Sequence, residues 1–457
     1  MLALTACCEA LILLSPPAYH YGYYDSKRSA IYSFVHTFFE AAAGAGEQLY
    51  VIADNRTWRD LSEEYGLNDA IVGVLDDIWI RDFFVTQLSD TTLVRFGYRP
   101  MYLNQQEISW IDHSARRFVQ QIWPNGEVSL LSGNGSYPCL KEACEMRADS
   151  LVLDGGGIVW EPTTQRAVVT ERVLRDNPWL VGRLSLSADG LPPRPMGAAD
   201  PYAGAPAITS ADLEHAKSVL ERLLAEALSP TNASGINVTV AIVPEEPSAP
   251  RLGHVDGICN WLAPSTLALS NFSDPSTFAL FAARLAAAFG DAVNIVPFPY
   301  YPSADMWEDG FESAEGVYVN FARTQYAIYV PTFGAPADSE ALALAAEHAD
   351  RPLAVVGVDA RAVAIMGGSV RCLSTFLWGA FADTVTALRA PPPLGSPSPP
   401  PPAGDGVPVG IVAGATAGGV ALIALVLVSI LYAYKVACWA PKAKRAQGGE
   451  ISIGPAL

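Results

Sequence analysis

Gly367-Gly368-Ser369-Val370-Arg371-Cys372-Leu373-Ser374 is a glycine-rich turn at the end of a hydrophobic, strand-like run, and it carries a cysteine. A thiol is a weak nucleophile until a base or a positive neighbour holds it as thiolate. The sequence offers such a partner far upstream, in Gly253-His254-Val255-Asp256. An imidazole, with an ordinary pKa of about 6.5, takes and returns a proton near neutrality. Read as a strand, this segment turns His254 and Asp256 to one face, an acid/base beside a cation-binding carboxylate. A lone Cys and a lone His on apolar segments are most often plain buried side chains. Three further elements decide the reading.

Asp76-Asp77-Ile78-Trp79-Ile80-Arg81-Asp82 packs charge and an indole into seven residues of a chain that is only 17% charged. Ile78, Ile80 and Phe84 alternate with Asp77 and Arg81, which predicts a strand with one buried face. Asp82 at its end is suited to gripping a planar cation by a bidentate fork. In Leu153-Asp154-Gly155-Gly156-Gly157-Ile158, three glycines let the backbone approach a ligand or another segment closely. Gly316-Val317-Tyr318-Val319-Asn320-Phe321 reads as a β-rich run with one polar side chain near its end.

In this order, across residues 10–390, these pieces resemble the agmatine deiminase and bacterial, Porphyromonas-type peptidyl-arginine deiminase family. The matching stretches are Asp76 to Asp82, Asp154 to Gly157, Gly253 to Asp256, Tyr318 to Phe321 with the following Val330-Pro331, and Gly367-Gly368 through Cys372. The resemblance implies an α/β fold, a five-bladed α/β propeller (pentein) of repeated ββαβ units. It implies that Cys372 attacks a guanidinium carbon and that His254 protonates the departing ammonia, then activates water. Asp82 and Asp256 would hold the guanidinium nitrogens, Asn320 would order the site near Cys372, and Trp79 would pack beside the substrate. Agmatine or peptidyl-arginine would become a ureido product, with no metal and no cofactor. The chemistry is physically reasonable, because a delocalised cation must be fixed at near-attack distance before a thiolate can add to it.

Three departures from the family pattern stand out. Arg371 precedes the nucleophile where relatives usually carry His, Phe84-Val85 replaces a common Gly-Pro, and Asp154 replaces Glu ahead of the glycines. None removes a reacting group. A non-catalytic ectodomain that binds cationic ligands is the alternative.

At 457 residues the chain is long enough for a large domain plus an appendage. A net charge of −18 argues against a nucleic-acid partner, which wants a basic surface. Residues 391–406 are rich in proline and read as an extended linker. Val409 to Tyr434 contains no charged residue and is long enough for a transmembrane helix. Lys435, Lys442, Lys444 and Arg445 follow, which predicts a basic cytosolic tail over 435–457 and a single-pass protein with a lumenal or extracellular catalytic domain. Glycosylation sequons at Asn55, Asn134, Asn232, Asn237 and Asn271 suit that side, and Cys438 is a palmitoylation candidate. Gly410, Gly414 and Gly418 share one helix face, which would permit a homodimer through the span.

Met1 to Pro17 is apolar like a signal sequence but lacks a basic start and contains Glu9. Alternatively Ala10 to Ser15 is the first core strand, in which case the chain starts late relative to the family. Strand patterns recur at Gln48–Ala53, Leu93–Phe96, Ser150–Leu153, Ala167–Thr170, Val238–Val243, Thr266–Ser270, Tyr326–Val330 and Leu353–Val358. A leucine stripe behind a serine cap predicts a helix from Ser210 to Leu228. Such alternation indicates an α/β architecture. Residues 190–206 read as an insertion loop.

Overall fold

A computed structural model describes residues 10–90, 92–100, 103–124, 128–131, 151–177, 210–229, 238–246, 253–307, 310–349 and 353–390. Its strands in chain order are β1 (Leu11–Leu14), β2 (Gln48–Ala53), β3 (Ala70–Val72), β4 (Thr86–Ser89), β5 (Thr92–Phe96) and β6 (Val128–Leu131). They continue as β7 (Ile158–Glu161), β8 (Arg166–Thr170), β9 (Thr239–Val243), β10 (Cys259–Ala263), β11 (Thr266–Ser270) and β12 (Asn294–Phe298). The last four are β13 (Ala322–Arg323), β14 (Ala327–Thr332), β15 (Ala354–Asp359) and β16 (Ser374–Leu377).

These strands form five separate sheets with one recurring plan. The first strand of each unit pairs antiparallel with the second, and the second pairs parallel with the third: β4-β5-β6, β7-β8-β9, β10-β11-β12 and β13-β14-β15. A parallel pair cannot be joined by a tight turn and needs a crossover, here a helix. Helices Gln105–Ile122, Ser210–Leu228, Pro275–Phe289 and Ala337–His348 supply it in those four units. The fifth unit is assembled from both ends of the chain. β16 pairs antiparallel with β1, from Leu11 against Leu377 to Leu14 against Ser374, and helix Arg28–Gly44 then leads to β2, parallel to β1. β3 adds a fourth strand to this sheet. The ββαβ repeat expected from the resemblance is therefore present five times.

The middle strand of a unit is covered on both faces, so its sequence is a continuous apolar run rather than an alternation. Leu11-Ile12-Leu13-Leu14 is buried throughout, as is Thr266-Leu267-Ala268-Leu269-Ser270. Ala10 to Ser15 is thus core strand, the second of the two readings of the N-terminal stretch. The strand expectations hold to within two residues except Ser150–Leu153, where only a single bridge from Val152 to Gly97 forms. There the Asn177 side chain takes both backbone groups of Val152 and stands in for a strand partner.

Three local readings are corrected. Asp76–Asp82 is not a strand but a turn followed by the short helix Ile80–Phe83. Its alternation misled because both sides are buried: Ile78 and Ile80, but also Asp77 and Asp82. The Asp77 carboxylate accepts from the amide of Ile78 at 2.7 Å and from the Tyr24 hydroxyl at 2.6 Å, which bends the backbone there. His254–Asp256 is likewise no strand: His254 is extended, but Val255–Gly257 forms a 3-10 turn, so the shared-face argument fails. Tyr318–Phe321 is buried irregular chain that leads into β13.

All five motifs occupy the same place in the repeat, the lead-in to its first strand. Trp79–Asp82 precedes β4, Asp154–Gly157 precedes β7, His254–Gly257 precedes β10, Tyr318–Phe321 precedes β13, and Gly367–Cys372 precedes β16. Among the described residues no helix is long and apolar enough to cross a membrane. The insertion loop 190–206, the linker 391–406, the span 409–434, the tail 435–457 and the sequons at Asn134, Asn232 and Asn237 lie outside those residues. Asn55 and Asn271 are exposed.

The glycine run sets how closely two lead-ins approach. A Cβ on Gly155 would lie 1.8 Å from the backbone oxygen of Arg81, whereas one on Gly44 would meet nothing within 4 Å. Gly155→Ala should cost about 1–3 kcal/mol, the usual scale of overpacking. Gly44→Ala, in the last turn of its helix, should instead gain about 0.5–1 kcal/mol. Denaturant midpoints at constant m-value check both.

Candidate active site

The five lead-ins are tied to one another across the repeats. The amide of Gly156 donates to Asp82 Oδ1 at 2.9 Å, and the amide of Arg81 donates to the carbonyl of Cys372 at 3.2 Å. Asn320 holds the nucleophile turn: its Oδ1 accepts from the Ser369 hydroxyl at 2.9 Å and from the amide of Arg371 at 3.2 Å. Its Nδ2 donates to Cys372 Sγ at 3.1 Å. Gly368 gives this turn room, since a Cβ there would lie 2.5 Å from the Trp79 ring and 2.9 Å from Cys372 Cβ.

His254 sits between two carboxylates. Its Nε2 is 3.2 Å from Asp154 Oδ2, and Gly156 leaves the gap through which it faces Asp82. A Cβ on Gly156 would lie 2.4 Å from His254 Nδ1 and 2.8 Å from Asp82 Oδ1, so any other residue would separate the pair. Asp256 points elsewhere. Its Oδ2 accepts from Arg371 Nη1 at 2.7 Å and lies 3.6 Å from Cys372 Sγ.

Electrostatics follow from this crowding. Burial alone would lower the pKa of His254, but Asp82, Asp154 and Asp256 together outweigh it and raise it to about 9. His254 is therefore an imidazolium at neutral pH. Burial pushes the Cys372 thiol well above its usual range, and the charges of Asp256 and Asp82 push it further. Burial likewise raises Asp82, with Asp154 and Asp256 adding to the shift and His254 opposing it. These neighbours thus favour a neutral thiol beside a protonated histidine.

Cys372, His254, Asp82 and Trp79 line one cavity of about 270 Å³. Asp256 and Asn320 do not line it; they stand behind Cys372, nearly fully buried. Much of the remaining wall is aromatic or acidic, including Tyr21, Tyr23, Trp307, Phe311, Asp77 and Glu107. Glu107 also closes a capping box with Asn104 at the start of helix Gln105–Ile122. Asp77, buried and close to Glu107, is raised to about 6.

Residues 238–376 match the family model of the Porphyromonas-type peptidyl-arginine deiminases. The chain resembles that family. The matched region holds His254, Asp256, Asn320 and Cys372. No curated protein matches the sequence. Among solved structures, a candidate peptidyl-arginine deiminase is similar with a TM-score of 0.55 at 15% identity, covering 82% of this chain and 97% of that one. The agmatine deiminase of C. jejuni gives 0.54 at 13% identity, covering 82% and 94%. That of Enterococcus faecalis gives 0.51 at 14% identity, covering 82% and 93%. At such identities these structures speak for the fold, a pentein-type α/β fold. The matched family and these structural relatives are deiminases, hydrolases acting on C–N bonds.

Because neighbouring carboxylates raise His254, removing one must lower it. The imidazole should titrate near pH 9 by NMR, and Asp154→Asn should move that midpoint to lower pH. An unchanged midpoint would mean that Asp154 does not charge-pair with His254.

Proposed function

We propose that this protein is a guanidine deiminase that converts an arginine-type guanidinium to a ureido group and ammonia through Cys372. The observation that carries the reading is one cavity wall shared by a cysteine, an imidazolium and a carboxylate fit for a planar cation. Entry of a guanidinium beside Asp82 brings positive charge to the thiol and lowers the cost of the thiolate, whose proton is released to solvent. Sulfur then adds to the guanidinium carbon, and the C–N bond to one nitrogen breaks as His254 gives that nitrogen a proton. Ammonia leaves, and a thiouronium remains on Cys372. His254, now neutral, takes a proton from water as the water oxygen attacks the same carbon. The C–S bond breaks as the hydroxyl proton of the adduct passes to the leaving sulfur, and the ureido product departs. Trp79 packs beside the substrate, Asp82 supplies negative charge for its nitrogens, Asp256 stays paired with Arg371 behind the sulfur, and Asn320 holds the sulfur.

Glu107 and Asp77 line the same cavity, so this reading favours agmatine, whose amine is a second cation, over peptidyl-arginine. The aromatic wall of Tyr21, Tyr23 and Trp307 suits an alkyl chain that ends in a cation. A second reading, a non-catalytic cation-binding domain, draws on Arg371, whose own guanidinium already occupies an oxygen of Asp256. The proposal extends to a single-pass membrane protein anchored by 409–434, with residues 10–390 on the lumenal or outer side and the glycine face of the span as a dimer contact. Its support is the uncharged run and the basic residues after it.

Incubation of the purified protein with agmatine, free arginine and arginine peptides, followed by a ureido-specific colour reaction, tests the reading. Ureido product from wild type and none from Cys372→Ser is expected. Binding of agmatine without product supports the second reading instead. Asp82→Asn should lower kcat/KM by about 2–5 kcal/mol, the cost of removing one partner of a desolvated charge pair. Glu107→Gln should raise KM for agmatine while leaving a monocationic alkylguanidine unaffected. An equal effect on both would place the amine elsewhere.

A further inference from the structure

Arg371 stands where the resembling family usually carries histidine, and its guanidinium is bound entirely within the wall of the site. Nη1 donates to Asp256 Oδ2 at 2.7 Å and to the carbonyl of Gly155 at 3.3 Å, and Nη2 donates to the carbonyl of Ile158 at 2.8 Å. The residue is 8% exposed and is not among those that line the cavity. Its three acceptors come from two different lead-ins, those before β7 and β10, while its own backbone belongs to a third. An arginine held as an internal competitor of the substrate would project into the cavity. This one faces away from it and ties three of the five site-bearing segments together.

We propose that Arg371 is a positioning residue: it aims the Asp256 carboxylate at Cys372 and offsets its charge, so that Asp82 is the main counter-ion left for the incoming guanidinium. The inference rests on the deiminase reading for its kinetic consequence, though not for its geometry. A planar fork is required, because two carbonyls and a carboxylate must be satisfied in one plane. An ammonium at the same place would keep the charge and lose the fork. Removing both leaves Asp256 buried with an uncompensated charge 3.6 Å from the sulfur. The groups that bear on Cys372 from the surrounding segments are Asp82 and Arg81, Asp154, His254 and Asp256, and Arg371 itself. Besides the thiol itself, the group that bonds the Asp256 oxygen facing the sulfur, among the described residues, is the Arg371 guanidinium.

The test uses Arg371→Ala and Arg371→Lys in the full chain, with two readouts. The first is the rate of iodoacetamide alkylation at Cys372 across pH 7–10, resolved by mass spectrometry of the peptide that contains it; this requires no turnover. Arg371→Ala should slow alkylation at least tenfold at pH 8–9 and move the profile to higher pH, with Arg371→Lys between it and wild type. Millimolar guanidinium should restore the Arg371→Ala rate. The second readout is deimination of agmatine, where Arg371→Ala should lose roughly 100-fold in kcat, the scale of an ångström of misplacement, with a smaller change in KM. Guanidinium should recover part of it. Alkylation profiles that coincide in all three proteins, or a rise in activity on removing Arg371, would overturn the proposal. A wild type that turns over no guanidine, yet shows the shifted and rescued alkylation profile, would sink the deiminase reading and leave the role of Arg371 standing.

Discussion

Three carboxylates, Asp82, Asp154 and Asp256, are buried around one thiol, and every other feature of the site answers to that concentration of negative charge. Unpaired, each would be too costly to keep from water. His254 is charged by two of them directly, and Arg371 by the third. Burial first, and then the charges of Asp256 and Asp82, hold the thiol proton firmly. Cation binding and nucleophile activation are thereby one event in the proposed reaction. In that proposal a guanidinium is both the substrate and the positive charge brought to the sulfur.

The repeat explains how five segments far apart in sequence meet. Each unit presents the same stretch of backbone, the approach to its first strand, and five such stretches converge because five units do. The chemistry is asymmetric although the scaffold repeats: one stretch brings a carboxylate, one an acid/base, one an amide that fixes the sulfur, one the sulfur. The fifth member of the set, the glycine run, contributes mainly absence of bulk, and by it His254 and Asp82 come to face each other.

Much of this was legible beforehand. Middle strands such as Gln48–Ala53 and Thr266–Ser270 are uninterrupted apolar runs and were placed to the residue, as was the helix Ser210–Leu228. The site segments were found through resemblance, while their local conformation was misread, and for one reason. Rules of periodicity assume that one face meets solvent, and in Asp76–Asp82 and His254–Asp256 polar and apolar side chains alike are buried. The partners of Arg371 were not legible, because its acceptors are a carboxylate and two carbonyls more than 100 positions away. Nor was Glu107 in the cavity wall, since its capping role accounts for its position in the sequence on its own.

The pairing of β16 with β1 has a bearing on how the molecule is made. During synthesis β1 emerges some 360 residues before its antiparallel neighbour, Ser374–Leu377, and Cys372 lies two residues ahead of that neighbour. Until that stretch leaves the ribosome, an apolar strand waits with one edge open, a hazard for aggregation. Closing a contact over some 360 residues is also slow, since loop entropy must be overcome before the contact rewards it. The same delay reaches the site: Cys372 emerges only after the other four site-bearing segments have left the ribosome.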